Sequence, residues 1–304
     1  MPNPAYSGQI AIVTGGASGI GAALGRQMAR CGAHVVLADR QVELAEGVAD
    51  DIRARGGSAS AVALDVRDAT AMSRTVQDTV GRWGGVHFFF NNAGIGVGGE
   101  VEHYQTRDWD EVFDVNLRGV AYGIQAVYPV MLRQRSGHII NTASVAGLFP
   151  TPGETSYCAS KYAVVGLSKA LRIEAKRHGV RVSALCPGAI RTPILTGGKF
   201  GRTNQEGVTD ENLLGLWEPM RPMDPDVFAA KVVAQLARNP AIIVVPAWWR
   251  LMWYLERIAP SASERIMGMT AAHLRDSVEK LGGRPISQAP NAAPESVSSE
   301  TNPV

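Results

Sequence analysis

Tyr157 and Lys161 stand four residues apart in a 304-residue chain, on a stretch that reads as a helix. Residues at that spacing share a helix face, so the ammonium is close enough to act on the phenol. A free tyrosine ionises near pH ~10, and to exchange a proton near neutrality its phenolate must be stabilised. A neighbouring lysine does that electrostatically. Ser144 follows the apolar run His138–Asn141 and is placed to hydrogen-bond a substrate oxygen and hold it against the tyrosine. Proton transfer to or from an alcohol or ketone oxygen is the chemistry these three side chains suit. Each alone also fits a plain structural place: a packed aromatic at a helix start, a solvated charge, a turn serine. Their weight comes from what surrounds them.

A second candidate site lies near the amino terminus. Behind the apolar run Ile10–Val13 comes T-G-G-A-S-G-I-G, Thr14 to Gly21, with glycines at Gly15, Gly19 and Gly21. The spacing is G-x-x-x-G-x-G, whereas the common dinucleotide fingerprint is G-x-G-x-x-G. Such a turn lets backbone approach a ligand closely, and exposed N–H groups at a helix start favour an anion. An ordinary strand-to-helix turn explains it equally well. The next strand-like run ends at Asp39, 18 residues past Gly21. A carboxylate there can accept bonds from both adenosine ribose hydroxyls and repels a 2′-phosphate, which favours NAD over NADP. Arg40 argues the other way, since a guanidinium can pair with that phosphate.

The elements that must position these groups alternate regularly. Near-continuous apolar runs at Ile10–Val13, His34–Ala38, Ser60–Leu64, Val86–Phe90, His138–Asn141, Arg181–Cys186 and Ala241–Val245 read as strands covered on both faces. Helix-length segments lie between them, including Ile20–Cys31, Val42–Arg55, Thr70–Gly81, Trp109–Arg133 and Ser156–Lys176. The alternation predicts an α/β fold with a doubly wound, seven-stranded parallel sheet flanked by helices, as one domain over 1–245. Residues 190–225 lack a clear period and fit a substrate-binding loop or lid. Residues 246–282 read as a Trp-rich helical extension, and 283–304, rich in Pro, Ser, Asn and Glu, as an unstructured tail.

Composition narrows the function classes. Apolar residues make up 45%, enough for a large core, and the formal charge of +2 carries no basic block, which argues against nucleic acid. Cys31, Cys158 and Cys186 are odd in number and far apart, as expected in a reducing compartment, and neither they nor the six histidines have metal-ligand spacing. Met1-Pro2-Asn3-Pro4 lacks a signal peptide's basic and apolar regions, and the expected location is cytoplasmic. In the segment Ala247–Leu255, three tryptophans fall among apolar residues. Burial against the body or a subunit partner ranks first. An apolar wall for the substrate pocket ranks second. Third is shallow membrane contact through 247–258, with Arg250, Arg257 and Arg265 towards the headgroups.

Taken in order, Thr14-Gly15-x-x-x-Gly19-x-Gly21, Asn91-Asn92-Ala93-Gly94, Asn116, Ser144, Tyr157-x-x-x-Lys161 and Pro187-Gly188-x-x-x-Thr192 resemble the short-chain dehydrogenase/reductase family from Ser7 to Val245. The resemblance implies a Rossmann-type fold and tyrosine-based hydride transfer between NAD(H) and a secondary alcohol or ketone. It assigns Tyr157 as general acid/base and gives Lys161 the nicotinamide ribose as well. Asn116 would position Lys161 through water. Gly15, Ser18, Gly19, Ile20 and Gly21 would hold the pyrophosphate, with Asp39 and Arg40 at the adenosine ribose. Asp65 and Val66 would flank the adenine, and Asn92, Ala93 and Gly94 would back the adenosine ribose. Pro187, Gly188, Ile190 and Thr192 would lie by the carboxamide. A homodimer or homotetramer built on the helices 109–133 and 156–176 is implied too. The apolar loop and extension point to a bulky, lipophilic substrate of steroid, terpenoid or aryl type. NADPH-dependent carbonyl reduction is the alternative within the family. A non-catalytic dinucleotide-binding sensor or scaffold is the alternative outside it, against which the intact Asn116, Ser144, Tyr157 and Lys161 weigh.

Overall fold

A computed structural model describes residues 6–203 and 205–285 of the chain. The seven apolar runs form β1 (Ile10–Thr14), β2 (His34–Asp39), β3 (Ser58–Ala63), β4 (Phe88–Asn91), β5 (Gly137–Thr142), β6 (Val180–Pro187) and β7 (Ile242–Val245). They make one sheet in the order β7-β6-β5-β4-β1-β2-β3, with every neighbouring pair parallel. The chain winds outward from β1 through β2 to β3, then restarts at β4 on the other side of β1. The connections therefore diverge between β1 and β4, and their carboxyl ends leave a crevice there.

Burial explains why these runs are largely apolar. All five residues of β1 are inaccessible, as are all six of β2 and of β5. Successive side chains serve opposite faces. Val13, Leu37 and Phe90 pack on one face with Leu24, Met28 and Phe228, whereas Ile12 and Phe89 pack on the other with Met72, Val127 and Met131. Each fully buried large side chain contributes about 1.5–3 kcal/mol. β3 is one edge of the sheet, and its Ser-Ala-Ser-Ala-Val-Ala run is only partly covered.

The helices α1 (Gly19–Arg30), α2 (Val42–Ala54) and α3 (Ala69–Trp83) follow the first three strands. The long helix expected over Trp109–Arg133 is divided into α4 (Thr106–Phe113), a π-helical turn at Asp114–Arg118, and α5 (Gly119–Gln134). The wider turn carries Asn116, and such bulges re-aim side chains within an otherwise continuous helix. α6 (Thr155–Lys176) bears Tyr157 and Lys161.

The segment 190–225 is built rather than open. Arg202–Thr203 pairs with Val97–Gly98, Gln205–Glu206 pairs with Arg284–Pro285, and α7 (Asp210–Trp217) follows. Trp217 Nε1 donates to the Leu195 carbonyl at 3.0 Å. Arg202 ties the segment to the body by donating to Asp108 and, at 2.7 Å, to Glu111. α8 (Pro225–Leu236) then leads into β7, and α9 (Arg250–Ile258) and α10 (Pro260–Lys280) complete the described chain. Of the tail expected over 283–304, Arg284 and Pro285 form the short pairing above, and 286–304 lie outside the described residues. In α9 and the turn before it, Trp249, Met252 and Trp253 pack on the core, while Trp248, Leu251, Tyr254 and Ile258 are exposed. No helix among the described residues is long and apolar enough to cross a membrane.

Candidate active site

The glycine loop is fastened to the turn after β4. Thr14 Oγ1 donates to the Phe90 carbonyl (3.2 Å) and accepts from the N–H groups of Asn92 (2.9 Å) and Ala93 (3.1 Å). Asn92 Nδ2 donates back to the Thr14 carbonyl at 3.1 Å. Gly15 and Gly19 have φ of +68° and +51°, a region where a Cβ is strained. Gly21 is required by contact, because a Cβ there would lie 2.0 Å from the Gly15 carbonyl oxygen. Ser18 makes no side-chain bond to the first turn of α1, whose N–H groups are therefore open to an anion.

Asp39 closes β2 and is nearly inaccessible. Its Oδ2 accepts from Ala17 N–H at 3.0 Å and its Oδ1 from Gln41 N–H at 2.9 Å. One carboxylate thus braces the glycine loop and the turn after β2, and its oxygens keep lone pairs for further donors. Arg40 is already occupied: Nε lies 3.5 Å from Asp65 and the guanidinium sits 4.4 Å above the Phe200 ring. Hydrogen bonds from Arg67 hold the Asp65 carboxyl below its usual range.

At the other end, β5 runs into Ser144, which caps a short turn by accepting from Ala146 N–H at 3.1 Å. The neighbouring Ser144 favours the ionised form of the Tyr157 hydroxyl. Lys161, 2% exposed, donates from Nζ to the Thr142 carbonyl at 2.9 Å and lies 5.3 Å from the Tyr157 ring centroid. Its hydrogen bond thus goes to the end of β5 rather than to the phenolic oxygen. Burial lowers the Lys161 ammonium to about 8. Burial pushes the Tyr157 hydroxyl well above the ordinary tyrosine range, Glu154 adds to the rise, and Ser144 opposes it. Here the phenol holds its proton firmly. Asn116 is fully buried; it donates to the Ile95 carbonyl (2.9 Å) and Ser160 Oγ (3.2 Å) and accepts from Ile95 N–H (2.9 Å). A Cβ on Gly94 would lie 3.3 Å from Asn116 Oδ1 and 3.5 Å from Lys161 Nζ, so this glycine separates the two.

These residues border one continuous cavity of about 600 Å³. It runs past Gly15, Ser18, Gly19, Ile20 and Gly21, then Asp39, Arg40, Asp65 and Val66, then Asn92, Ala93 and Gly94. Ser144, Tyr157, Lys161, Pro187, Gly188, Ile190 and Thr192 line it as well, and Asn116 stands behind the wall. Glycine cradle, carboxylate and lysine along one trough fit a dinucleotide lying across the carboxyl ends of the strands. Cys158 Sγ donates to the Ala146 carbonyl at 3.0 Å, and burial pushes the Cys186 thiol up to about 12, so both are structural.

Several lining residues are not legible from motifs. Thr142 acts through its backbone carbonyl, and Phe149, Thr151 and Glu154 come from the loop into α6. Trp249 comes from the extension and stacks on Phe149 at 5.7 Å between centroids. Glu154 lies one turn ahead of Tyr157, a spacing the sequence does display.

Comparison with known proteins decides the family. Residues 9–199 match the family model described as short chain dehydrogenase. The chain belongs to the short-chain dehydrogenase family. It is 42% identical over 188 residues to the 2,5-dichloro-2,5-cyclohexadiene-1,4-diol dehydrogenase of Sphingobium indicum, covering 62% of this chain and 75% of that protein. It is 37% identical over 191 residues to the cyclohexanol dehydrogenase of Acinetobacter sp., covering 62% and 76%. The crystal structure of a short-chain dehydrogenase/reductase from Burkholderia phymatum in complex with NAD superposes with a TM-score of 0.74 at 31% identity, over 83% of this chain and 94% of that one. As a short-chain dehydrogenase the protein is an oxidoreductase of CH–OH groups that uses a nicotinamide dinucleotide. The family match ends before the Arg202 clamp and the C-terminal helices, which shape the rest of the cavity.

Proposed function

We propose that this short-chain dehydrogenase oxidises a bulky, lipophilic cyclic secondary alcohol with NAD. The observation that carries the reading is one trough with Asp39 at one end and Ser144, Tyr157 and Lys161 at the other, roofed by apolar side chains. Leu213, Leu216, Trp217, Met220, Trp249 and Met267 supply that roof. The names of the two relatives, a cyclohexanol and a cyclohexadienediol dehydrogenase, support a ring-shaped alcohol. Asp39 supports NAD, since its charge opposes a 2′-phosphate while Arg40 is engaged by Asp65 and Phe200.

Ser144 and Tyr157 hold the alcohol oxygen between their hydroxyls. Tyr157 as phenolate takes the hydroxyl proton, and the buried Lys161 charge favours that phenolate through the low-dielectric wall. The nicotinamide ring, when bound, supplies the hydride acceptor and a positive charge in its oxidised form. Asn116 keeps Ile95 and Ser160, and with them the start of α6, in register. The roof excludes water, which strengthens each of these interactions. A panel of cyclic alcohols and ketones, assayed with NAD(H) and NADP(H) by NADH or NADPH absorbance, tests the reading. Turnover of ring alcohols with NAD supports it; a preference for NADP, or for linear primary alcohols, contradicts it.

A further inference from the structure

The C-terminal helices carry an apolar surface that no described residue covers. Of the fifteen large apolar side chains exposed among the described residues, eight fall between Trp248 and Leu281, so this surface is concentrated rather than scattered. Trp248, Leu251, Tyr254 and Ile258 project from one side of α9 and the turn before it, within about a third of the helix circumference. They are 49%, 75%, 52% and 83% exposed. The opposite side fixes the helix to the body, where Trp249, Met252 and Trp253 pack with Val164, Cys186 and Val244. Trp249 also stacks on Phe149. The outward side is therefore held in place by packing behind it. The chain beyond Pro285 is rich in Pro, Ser and Asn and offers few apolar residues to cover it.

Charge is arranged around this strip. Arg250 and Arg257 lie along one edge of it, and among the described residues neither is in a salt bridge. Glu256, the one carboxylate of α9, turns the other way, with its Oε2 buried. Arg265 in α10 is offset by the adjacent Glu264. An apolar strip with Trp and Tyr, edged by arginines, suits the boundary of an anionic bilayer: aromatic rings take the headgroup level and guanidinium groups meet phosphate. A second copy of the chain suits it less. Two-fold pairing would set the strip against itself, opposing arginines with arginines and with no outward carboxylate on α9 to meet them. No helix among the described residues is long and apolar enough to cross a membrane, so the contact is along the surface. We infer that the outward side of α9, with the turn before it, docks on an anionic lipid bilayer. The next helix gives the docking a use. Met267, Thr270, Ala271 and Leu274 of α10 line the cavity, and Leu274 is also exposed, so α10 forms part of the cavity rim. Docking sets that rim beside the bilayer, where a lipophilic alcohol concentrates; this last step rests on the dehydrogenase reading above, and the docking itself does not.

The test is flotation of the full-length protein with vesicles of phosphatidylcholine alone and of equimolar phosphatidylcholine and phosphatidylglycerol, with no substrate present. NADH binding, read by fluorescence, checks that each variant is folded. Each arginine at an anionic surface is worth about fivefold in binding, so the mixed vesicles are expected to bind the protein about twentyfold more tightly than the neutral ones, and less so in high salt. Arg250→Gln/Arg257→Gln brings the two kinds of vesicle level. Leu251→Gln/Ile258→Gln, at the two most exposed side chains of the strip, weakens binding to the mixed vesicles by about tenfold or more. Wild type that does not float with mixed vesicles, equal binding to both kinds, or binding that survives Leu251→Gln/Ile258→Gln overturns the inference. So does gel filtration in which wild type is a larger oligomer than that variant while neither floats, since the strip is then an interface between copies. Each of these results leaves the dehydrogenase reading intact, because no substrate enters the assay. An enzyme that turns over no cyclic alcohol or ketone but floats as described sinks that reading and leaves the docking standing.

Discussion

Replacing Lys161 by methionine is expected to stabilise the unliganded protein while removing its activity. Lys161 is 2% exposed, and burial lowers its ammonium from 10.5 to about 8. A lysine that is harder to protonate when folded opposes folding wherever the unfolded chain carries the proton. At pH 7 both states are charged, and the difference of about 2.5 units costs about 3 kcal/mol. The unfolded state binds more protons between pH 8 and 10.5, so stability rises through that window and the penalty shrinks to about 1 kcal/mol at pH 9.5. Methionine removes the charge but also the 2.9 Å bond to the Thr142 carbonyl, a loss of about 1 kcal/mol. The net gain is then about 2 kcal/mol at pH 7 and close to zero at pH 9.5. In a domain of this size the pH 7 gain raises Tm by about 5 °C. Urea or thermal unfolding of both proteins at the two pH values measures it. A variant less stable than wild type at pH 7, or a gain independent of pH, refutes the reasoning. The expected outcome is a site that carries a buried cation at a cost in stability for the sake of function.

Two further substitutions probe the ends of the cavity. Asp39→Asn removes the charge facing the ribose while keeping an acceptor for a backbone N–H, and is expected to reduce the preference for NAD over NADP by about tenfold or more. Titration of each cofactor against tryptophan fluorescence measures this, and an unchanged ratio refutes the role given to Asp39. Arg202→Met removes the guanidinium that pairs with the buried Asp108 and with Glu111, a loss of about 1–3 kcal/mol, the worth of hydrogen bonds to charged groups. Because Arg202 belongs to the 190–225 segment, the loss is expected as easier opening there, read as faster amide exchange over 193–203 and a raised KM. Unaltered exchange and KM would show that the clamp does not hold the segment.

The sheet was legible because its strands are buried on both faces, which leaves runs such as Val35-Val36-Leu37 without polar interruptions. The edge strand β3 departs from that pattern for the same reason, being covered less. That the glycine loop, Asp39 and the Tyr157–Lys161 pair line one cavity was legible because close backbone approach, a strand's carboxyl end and helix-face proximity each demand a residue at a short, fixed spacing. The π-helical turn at Asn116 was not, since a widened turn depends on how α4 and α5 pack and leaves no mark in an amphipathic pattern. The order within 190–225 also escaped. It rests on the contact of Arg202 with Asp108, 94 positions away, and on Gln205–Glu206 pairing with Arg284–Pro285. Glu154 and Trp249 meet the cavity only through tertiary packing, and no local spacing marks a side chain as facing a ligand. In the extension, helical periodicity groups Trp248 with Leu251, but packing buries the neighbouring Trp249–Met252–Trp253 face instead.

The central claim is that Tyr157 exchanges the proton of the reacting oxygen. Tyr157→Phe removes one oxygen atom and leaves the ring, Lys161 and the cofactor cradle in place. With the best ring alcohol from the panel, kcat is predicted to fall by about 10²–10⁴-fold while NADH binding, followed by fluorescence, stays within a factor of two or so. A variant that binds NADH and turns over the alcohol within a few-fold of wild type would contradict the account.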